Sequence, residues 1–324
     1  MKLSHAQDVR LFDSFAVGLW SAVLLVVLAA LPFVLPGYQI NYVNNIALYI
    51  IIAVGLNLLV GYTGQISLGH AAFMAIGAYS CVAMVTHWGL PFLPALLLSG
   101  FVAAAFGWVV GLPALRMEGP YLTIATLGFG IATQQILAKI PFTGGHMGLH
   151  TPPIVIGPWT LETDVSRYYL ILPITVLVVI GAYNISRSRI GRAFQAVRDS
   201  DVAAQATGVD LTFYKTLAFA VSTFFTGIAG ALMAHSTGFV SPEEFNVFLS
   251  IKLLAIIVVG GLGSILGSVL GPTLMISVEQ ALTAYGEISA MVFGAIMIVV
   301  ILFEPLGLRG RWLKIKRYWK TWPF

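Results

Sequence analysis

Gly55-Leu-Asn57-Leu-Leu-Val-Gly61-Tyr-Thr-Gly64-Gln65-Ile-Ser67-Leu-Gly69-His70-Ala-Ala-Phe-Met-Ala-Ile-Gly77-Ala-Tyr79 threads glycines and amides through an otherwise oily stretch of chain. In a bilayer every backbone N–H and C=O needs a partner inside the protein. A spanning helix therefore tolerates a break only where protein or a watery cavity adjoins it. Discontinuous helices of this kind are where many transporters bind or pass their solutes. Asn57, Gly61, Gly64, Gln65, Ser67, Gly69 and His70 are accordingly candidate translocation-pathway residues. Helix packing accounts equally well for Asn57 and Ser67, because polar side chains also bridge membrane helices.

The composition extends this reading to the whole chain. Of 324 residues, 58% are hydrophobic and only 9% are charged, and the mean hydropathy is +0.91. A soluble domain carries about 25% charged residues, so this chain is solvated by lipid. The one cysteine, Cys81, excludes an intrachain disulfide framework and reads as a small buried hydrophobe.

Ten apolar runs are readable, near 15–35, 42–61, 68–86, 91–111, 120–138, 168–184, 215–236, 247–262, 264–283 and 286–303. The first is longer than the apolar core of a cleaved signal peptide and lacks a small-residue cleavage site, so it is expected to be retained. The expected fold is all-α: a polytopic membrane protein of about ten transmembrane helices, one transmembrane domain over 1–324. The segments 62–67 and 261–264 are so short that a re-entrant pair fits equally well. Arg187, Arg189, Arg192 and Arg198 fall in 185–214, and Arg309, Arg311, Lys314, Lys316, Arg317 and Lys320 fall in the tail. The segment 140–166 contains no Lys or Arg. Cytoplasmic loops are enriched in these residues, which predicts both termini and 185–214 inside and 140–166 outside. The basic tail 306–324 also carries Trp312, Tyr318, Trp319 and Trp322. Beside a final span it reads as an interfacial segment on anionic lipid, not as a nucleic-acid-binding tail.

Coupling ions and hydrolysis leave few traces. Glu279 and Lys252 lie in or near spans, and His70 and His235 lie near helix ends. A secondary carrier would rest on Glu279 and His70. No H-E-x-x-H, G-x-S-x-G or Walker A sequence occurs, so no enzymatic role is expected. His146 and His150 are four apart, but Gly144, Gly145 and Gly148 argue against a helical metal face. A transporter without coupling residues takes its energy from another subunit. The loop 185–214 suits that: one short helix over about 189–197 has Ala193, Phe194 and Val197 on one side. A second begins after Asp199 and Ser200 and ends at Gly208, with Ala203, Ala204 and Ala206 as a smooth docking face. A short internal similarity links Val60-Gly61-x-x-Gly64-x-Ile66 to Val259-Gly260-x-x-Gly263-x-Ile265.

Four segments, GLNLLVGYTGQISLGHAAFMAIGAY (55–79), TGGHMGL (143–149), GRAFQAVRDSDVAAQATGV (191–209) and VVGGLGSILGSVLGP (258–272), resemble the permease subunits of ABC importers for branched-chain amino acids, of the LivM type. The inner loop also resembles the importer-permease motif E-A-A-x-x-x-G. Ala203, Ala204 and Gly208 match, while Val202 holds the Glu position with Asp201 beside it. The resemblance implies a second homologous permease, two cytoplasmic ATP-binding subunits and a periplasmic substrate-binding protein that docks on 140–166. It implies no cofactor on this chain, with ATP hydrolysed by the partners, and a location in the cell inner membrane. Arg192, Arg198, Asp199, Asp201, Ala203, Ala204 and Gly208 become candidate ATPase-coupling residues. Leu, Ile and Val are the implied cargo; related systems carry other amino acids, urea or short amides.

Overall fold

The computed structural model describes residues 15–114 and 120–282, with isolated positions between 291 and 310. The expected span at 286–303 and the basic tail lie for the most part outside the described residues. Helix α1 (Phe15–Ala30) runs into a 3-10 turn, Leu31–Phe33, and is followed by α2 (Gly37–Thr63), α3 (His70–Trp88), α4 (Phe92–Ala114), α5 (Pro120–Lys139) and α6 (Asp164–Arg187). Two short helices come next, α7 (Arg189–Asp199) and α8 (Asp201–Ala206). The long α9 (Leu211–Thr237) leads to α10 (Val247–Gly260) and α11 (Ile265–Ala281). The protein is an all-α, polytopic membrane protein.

Helix ends follow local chemistry. Thr163, Asp210, Asn246 and Ser264 each accept a backbone N–H of the first turn of α6, α9, α10 and α11, which satisfies donors that the helix itself leaves unpaired. α2 and α9 stop at Gly64 and Gly238, whose φ values of 74° and 76° are left-handed and open to glycine at no steric cost.

Six helices are long and apolar enough to span a membrane: 37–63, 70–88, 92–112, 120–139, 164–187 and 211–237. The pair α10 and α11, expected as two crossings, differs. With 14 and 17 residues, the limbs pass that test only together and are bent by 117° at the break between them. At 1.5 Å per residue they reach about 21 and 26 Å, less than a hydrocarbon core of about 30 Å. Gly261 and Gly263, at φ 118° and 70°, make the bend. The structure thus takes the re-entrant alternative, or one broken span, at 261–264. The glycine-rich stretch 55–79 also differs from a broken helix. α2 continues unbroken past Gly55 and Gly61, and the irregular part is the six-residue connection 64–69.

α2 is the central post, with 94% of its most apolar window buried, and α9 packs along it and against α3 and α4. Between helices in lipid the gain comes from close packing, which favours small residues at crossings. A Cβ on Gly77 of α3 would overlap the backbone of Gly227 in α9, and one on Gly230 would overlap the carbonyl of Met74. At one end of the bundle, 140–166 is stitched onto α9. Strand β1 (Leu149–His150) pairs antiparallel with β4 (Phe239–Val240), while β2 (Ile154–Ile156) and β3 (Trp159–Leu161) form a hairpin. Thr151 adds bonds from its N–H to Gly238 and from Oγ1 to Ala234.

The crossing of α3 and α9 sets a stability test. Gly77→Ala should cost about 1–3 kcal/mol through overpacking. Gly128→Ala, in α5 with nothing within 4 Å of the new Cβ, should cost nothing measurable. Thermal unfolding of the purified protein in detergent distinguishes them, and equal midpoints would refute the tight crossing.

Candidate functional site at the glycine turns

The two similar glycine segments, 60–66 and 259–265, meet in space, and Asn57 joins them. Its Nδ2 donates to the Ser264 carbonyl at 2.8 Å, to Ser268 Oγ at 2.7 Å and to the Gly261 carbonyl at 3.5 Å. Its Oδ1 accepts the Gly263 N–H at 2.8 Å. The side chain is fully buried, so this one amide closes the inward-facing backbone bonds of the turn. Gly61 lies one helical turn along, and a Cβ there would overlap both Asn57 Oδ1 and Gly263 N. The approach of the turn to α2 requires the bare backbone.

Arg198, at the end of α7, enters the same junction. Its Nη1 donates to the Gly61 carbonyl, and its side chain lies alongside Gly64, where an added Cβ would stand 3.5 Å from Arg198 Cγ. Arg309 donates to the Gly263 carbonyl at 3.0 Å. Two guanidinium groups therefore cap carbonyls that the two glycine turns leave without helical partners.

The remaining pathway candidates sit in the connection 64–69 and at the start of α3, and most of their bonds stay inside the chain. His70 is fully buried between two hydroxyls, Nδ1 at 3.1 Å from Ser67 Oγ and Nε2 at 2.8 Å from Ser222 Oγ. Gln65 Nε2 donates to Thr63 Oγ1 at 3.0 Å, and its buried Oε1 has no partner among the described residues. A Cβ on Gly69 would stand 2.6 Å from the Thr126 carbonyl. Thr126 Oγ1 accepts the Leu68 N–H at 3.0 Å, Thr123 donates to the Ile66 carbonyl, and Ser250 Oγ accepts the Ala71 N–H. Gly64 and Ile66 alone are exposed in this connection. Asn57 bridges helices, the second of the two readings the sequence left open for it, whereas the bonds of Ser67 are local, to the Gly69 N–H and to His70 Nδ1.

The loop 185–214 folds as its local signals require. Ser188 caps α7, and Ala193, Phe194 and Val197 form its buried side. Ser200 caps α8, which stops before Gly208 at φ 85°. Arg192 donates to the Arg187 carbonyl, Asp199 is exposed, and Asp201 is ion-paired with Lys215 of α9. One side chain departs from the expected docking face: Ala204 is 2% exposed and packs inward. The outward face is Val202, Ala203, Gln205 and Ala206, with Val202 79% exposed. A cavity of about 560 Å³ beside it is lined by Asp201, Val202, Gln205, Val209, Asp210 and Lys215, among others. Ser264 and Ser268 lie within the second glycine motif, whereas Thr126, Lys215, Ser222 and Ser250 carry this architecture without any signal in the sequence.

A family model described as branched-chain amino acid transport system, permease component, matches residues 38–301. The chain is 34% identical over 310 residues to the high-affinity branched-chain amino acid transport permease protein LivM of Salmonella typhimurium, covering 88% of this chain and 73% of that one. It is 29% identical over 286 residues to BraD of Pseudomonas aeruginosa, covering 81% and 92%. LivH of Escherichia coli is 25% identical over 285 residues, covering 81% and 91%. No solved structure matches. Together with six spanning helices and the paired glycine turns, these matches place the chain in the permease-component family of branched-chain amino acid transport systems.

Proposed function

We propose that this chain is the membrane permease of an ATP-driven importer that moves Leu, Ile and Val across the cell inner membrane. The observation that carries the proposal is Arg198. It binds one glycine turn directly and, through Gly61 and Asn57, sits against the other, so the loop helix α7 and the bent pair α10–α11 form one mechanical unit. In this reading 185–214 faces two cytoplasmic ATP-binding subunits, which hydrolyse the ATP, and this chain binds no cofactor. Arg192, Asp199, Asp201, Val202 and Ala203 then meet those subunits, Ala204 and Gly208 hold the loop's shape, and both termini are inside. In this reading α1 and 286–303 join the six long helices as spans while the bent pair enters and leaves on one face, so eight crossings replace the expected ten and keep both termini on one side. The segment 140–166, ordered by its strands and tied to α9, receives a periplasmic substrate-binding protein.

A second, homologous permease completes the pathway in this proposal, in line with relatives of both the LivM and LivH kinds. α5 supports it. Of the six spans it is the least apolar and the least buried, with 17% of its window covered. A helix solvated by lipid should be the most apolar; one that meets a partner or a polar pathway need not be. Its free face includes Tyr121, Ile124, Gly128 and Gln135.

Two outcomes are expected. Reconstituted alone, the chain should move no leucine under a proton or sodium gradient, and ATP-dependent uptake should appear only with its partner subunits. Gradient-driven uptake by the lone chain would overturn the importer reading. Within the complex, Val202→Asp and Ala203→Arg should lower co-purification of the ATP-binding subunits by about tenfold, equivalent to about 1.4 kcal/mol. Arg198→Met, which touches the turns and not the outward face, should leave the subunits bound and abolish uptake. Normal uptake from all three variants would separate the loop from coupling.

A further inference from the structure

The limbs of the bent pair separate from the turn at 261–264 and are joined again further along by charge. Lys252 Nζ of α10 donates to Glu279 Oε1 of α11 at 2.7 Å and lies 2.6 Å from Oε2. The ammonium also sits 5.0 Å from the centroid of the Tyr49 ring of α2. A charge within the bilayer is costly, so it is paired and turned toward protein or water. This pair is not sealed: the Glu279 side chain is 42% exposed and that of Lys252 is 23% exposed. One turn before Lys252 on the same helix face, Phe248 is 81% exposed, and the adjacent Ile251 is 43% exposed.

We propose that Lys252 and Glu279 bind the zwitterionic end of the transported amino acid, a proposal that rests on the reading of the chain as an amino-acid permease. An α-amino acid carries one carboxylate and one ammonium. Entering between the two side chains, its carboxylate pairs with Lys252 and its ammonium with Glu279, so one ion pair is exchanged for two. Charges are matched before and after the exchange, and no coupling ion is required. The Tyr49 ring keeps a contact on the Lys252 ammonium while Glu279 turns to the ligand. Phe248 and Ile251 offer apolar surface beside the site to a branched side chain. Urea and short amides have no charge pair to exchange, and a simple acid or amine would leave one partner unmatched. The site therefore selects amino acids from the cargo classes that the family resemblance leaves open.

The test uses the whole importer, with second permease, ATP-binding subunits and binding protein, in proteoliposomes supplied with ATP and labelled leucine. The variants are the double neutral Lys252→Met/Glu279→Gln and the charge swap Lys252→Glu/Glu279→Lys. A pair that only held two helices together could be replaced by neutral residues at little cost or restored by the swap. A zwitterion site in which the apolar surface lies beside Lys252 survives neither. Both variants should assemble with their partners yet lose at least about tenfold in uptake, the scale of losing charged hydrogen bonds. In a Cys81→Ala, Leu249→Cys background, with the new cysteine one turn before Lys252 and outside the proposed apolar contact, leucine should slow its reaction with a water-soluble thiol reagent when the Lys–Glu pair is intact and fail to do so in the double variant. Uptake at the wild-type rate from either variant, or protection that survives neutralisation, overturns the site while leaving the importer reading standing. Absence of ATP-dependent leucine uptake by the complete wild-type complex overturns that reading, and the site with it.

Discussion

A turn of backbone buried among membrane helices must have its N–H and C=O groups answered by protein, and at 261–264 the answer is largely one side chain. The Asn57 amide gives its donors to two carbonyls and a hydroxyl and takes the Gly263 N–H. An unanswered buried polar group costs about 1–3 kcal/mol, and no hydrophobic gain between helices in lipid offsets it. Without this clasp the Ser264 carbonyl and the Gly263 N–H at the sharp bend between α10 and α11 lose the partner that holds them against α2. The position of the bent pair against α2, and with it Lys252 and Glu279 beside Tyr49, follows from it.

Glycine does the complementary work. Where Asn57 supplies bonds, Gly61 supplies room, since a methyl group there would strike both the amide and the turn it holds. The same division recurs between α3 and α9, where Gly77, Gly227 and Gly230 let backbones touch, and hydroxyls such as Thr226 return their bonds to their own helix. The architecture combines backbones at contact distance with a few polar side chains that fasten what the contacts align.

Much of this could be read from the residues alone. The six long helices lie where apolar runs place them. α2 and α6 extend several residues past those runs because capping and helix continuation, not hydropathy, decide where a helix ends. The second loop helix was legible because Ser200 and Gly208 act on immediate neighbours, while the Ser188 cap of the first emerges only from the structure. The bend at 261–264 was visible only as an alternative: hydropathy counts apolar residues and does not register direction. The clasp was not legible. Asn57 binds groups 204 to 211 positions away, and a single asparagine in an apolar helix announces a need for partners without naming them. Ala204 was placed outward because an alanine stripe has no sidedness until the helix is set against its neighbours.

The attachment of β4 gives α9 a consequence beyond packing. This helix has 27 residues and no proline, so it is a stiff rod of about 40 Å. At one tip, strand β4 grips the segment 140–166; at the other, Lys215 grips Asp201 of the loop 185–214. A rod pinned at both tips cannot be displaced at one without moving the other. In the proposed importer this one piece of secondary structure would pass a displacement of either attached segment to the other, with no chain of side-chain rearrangements between them.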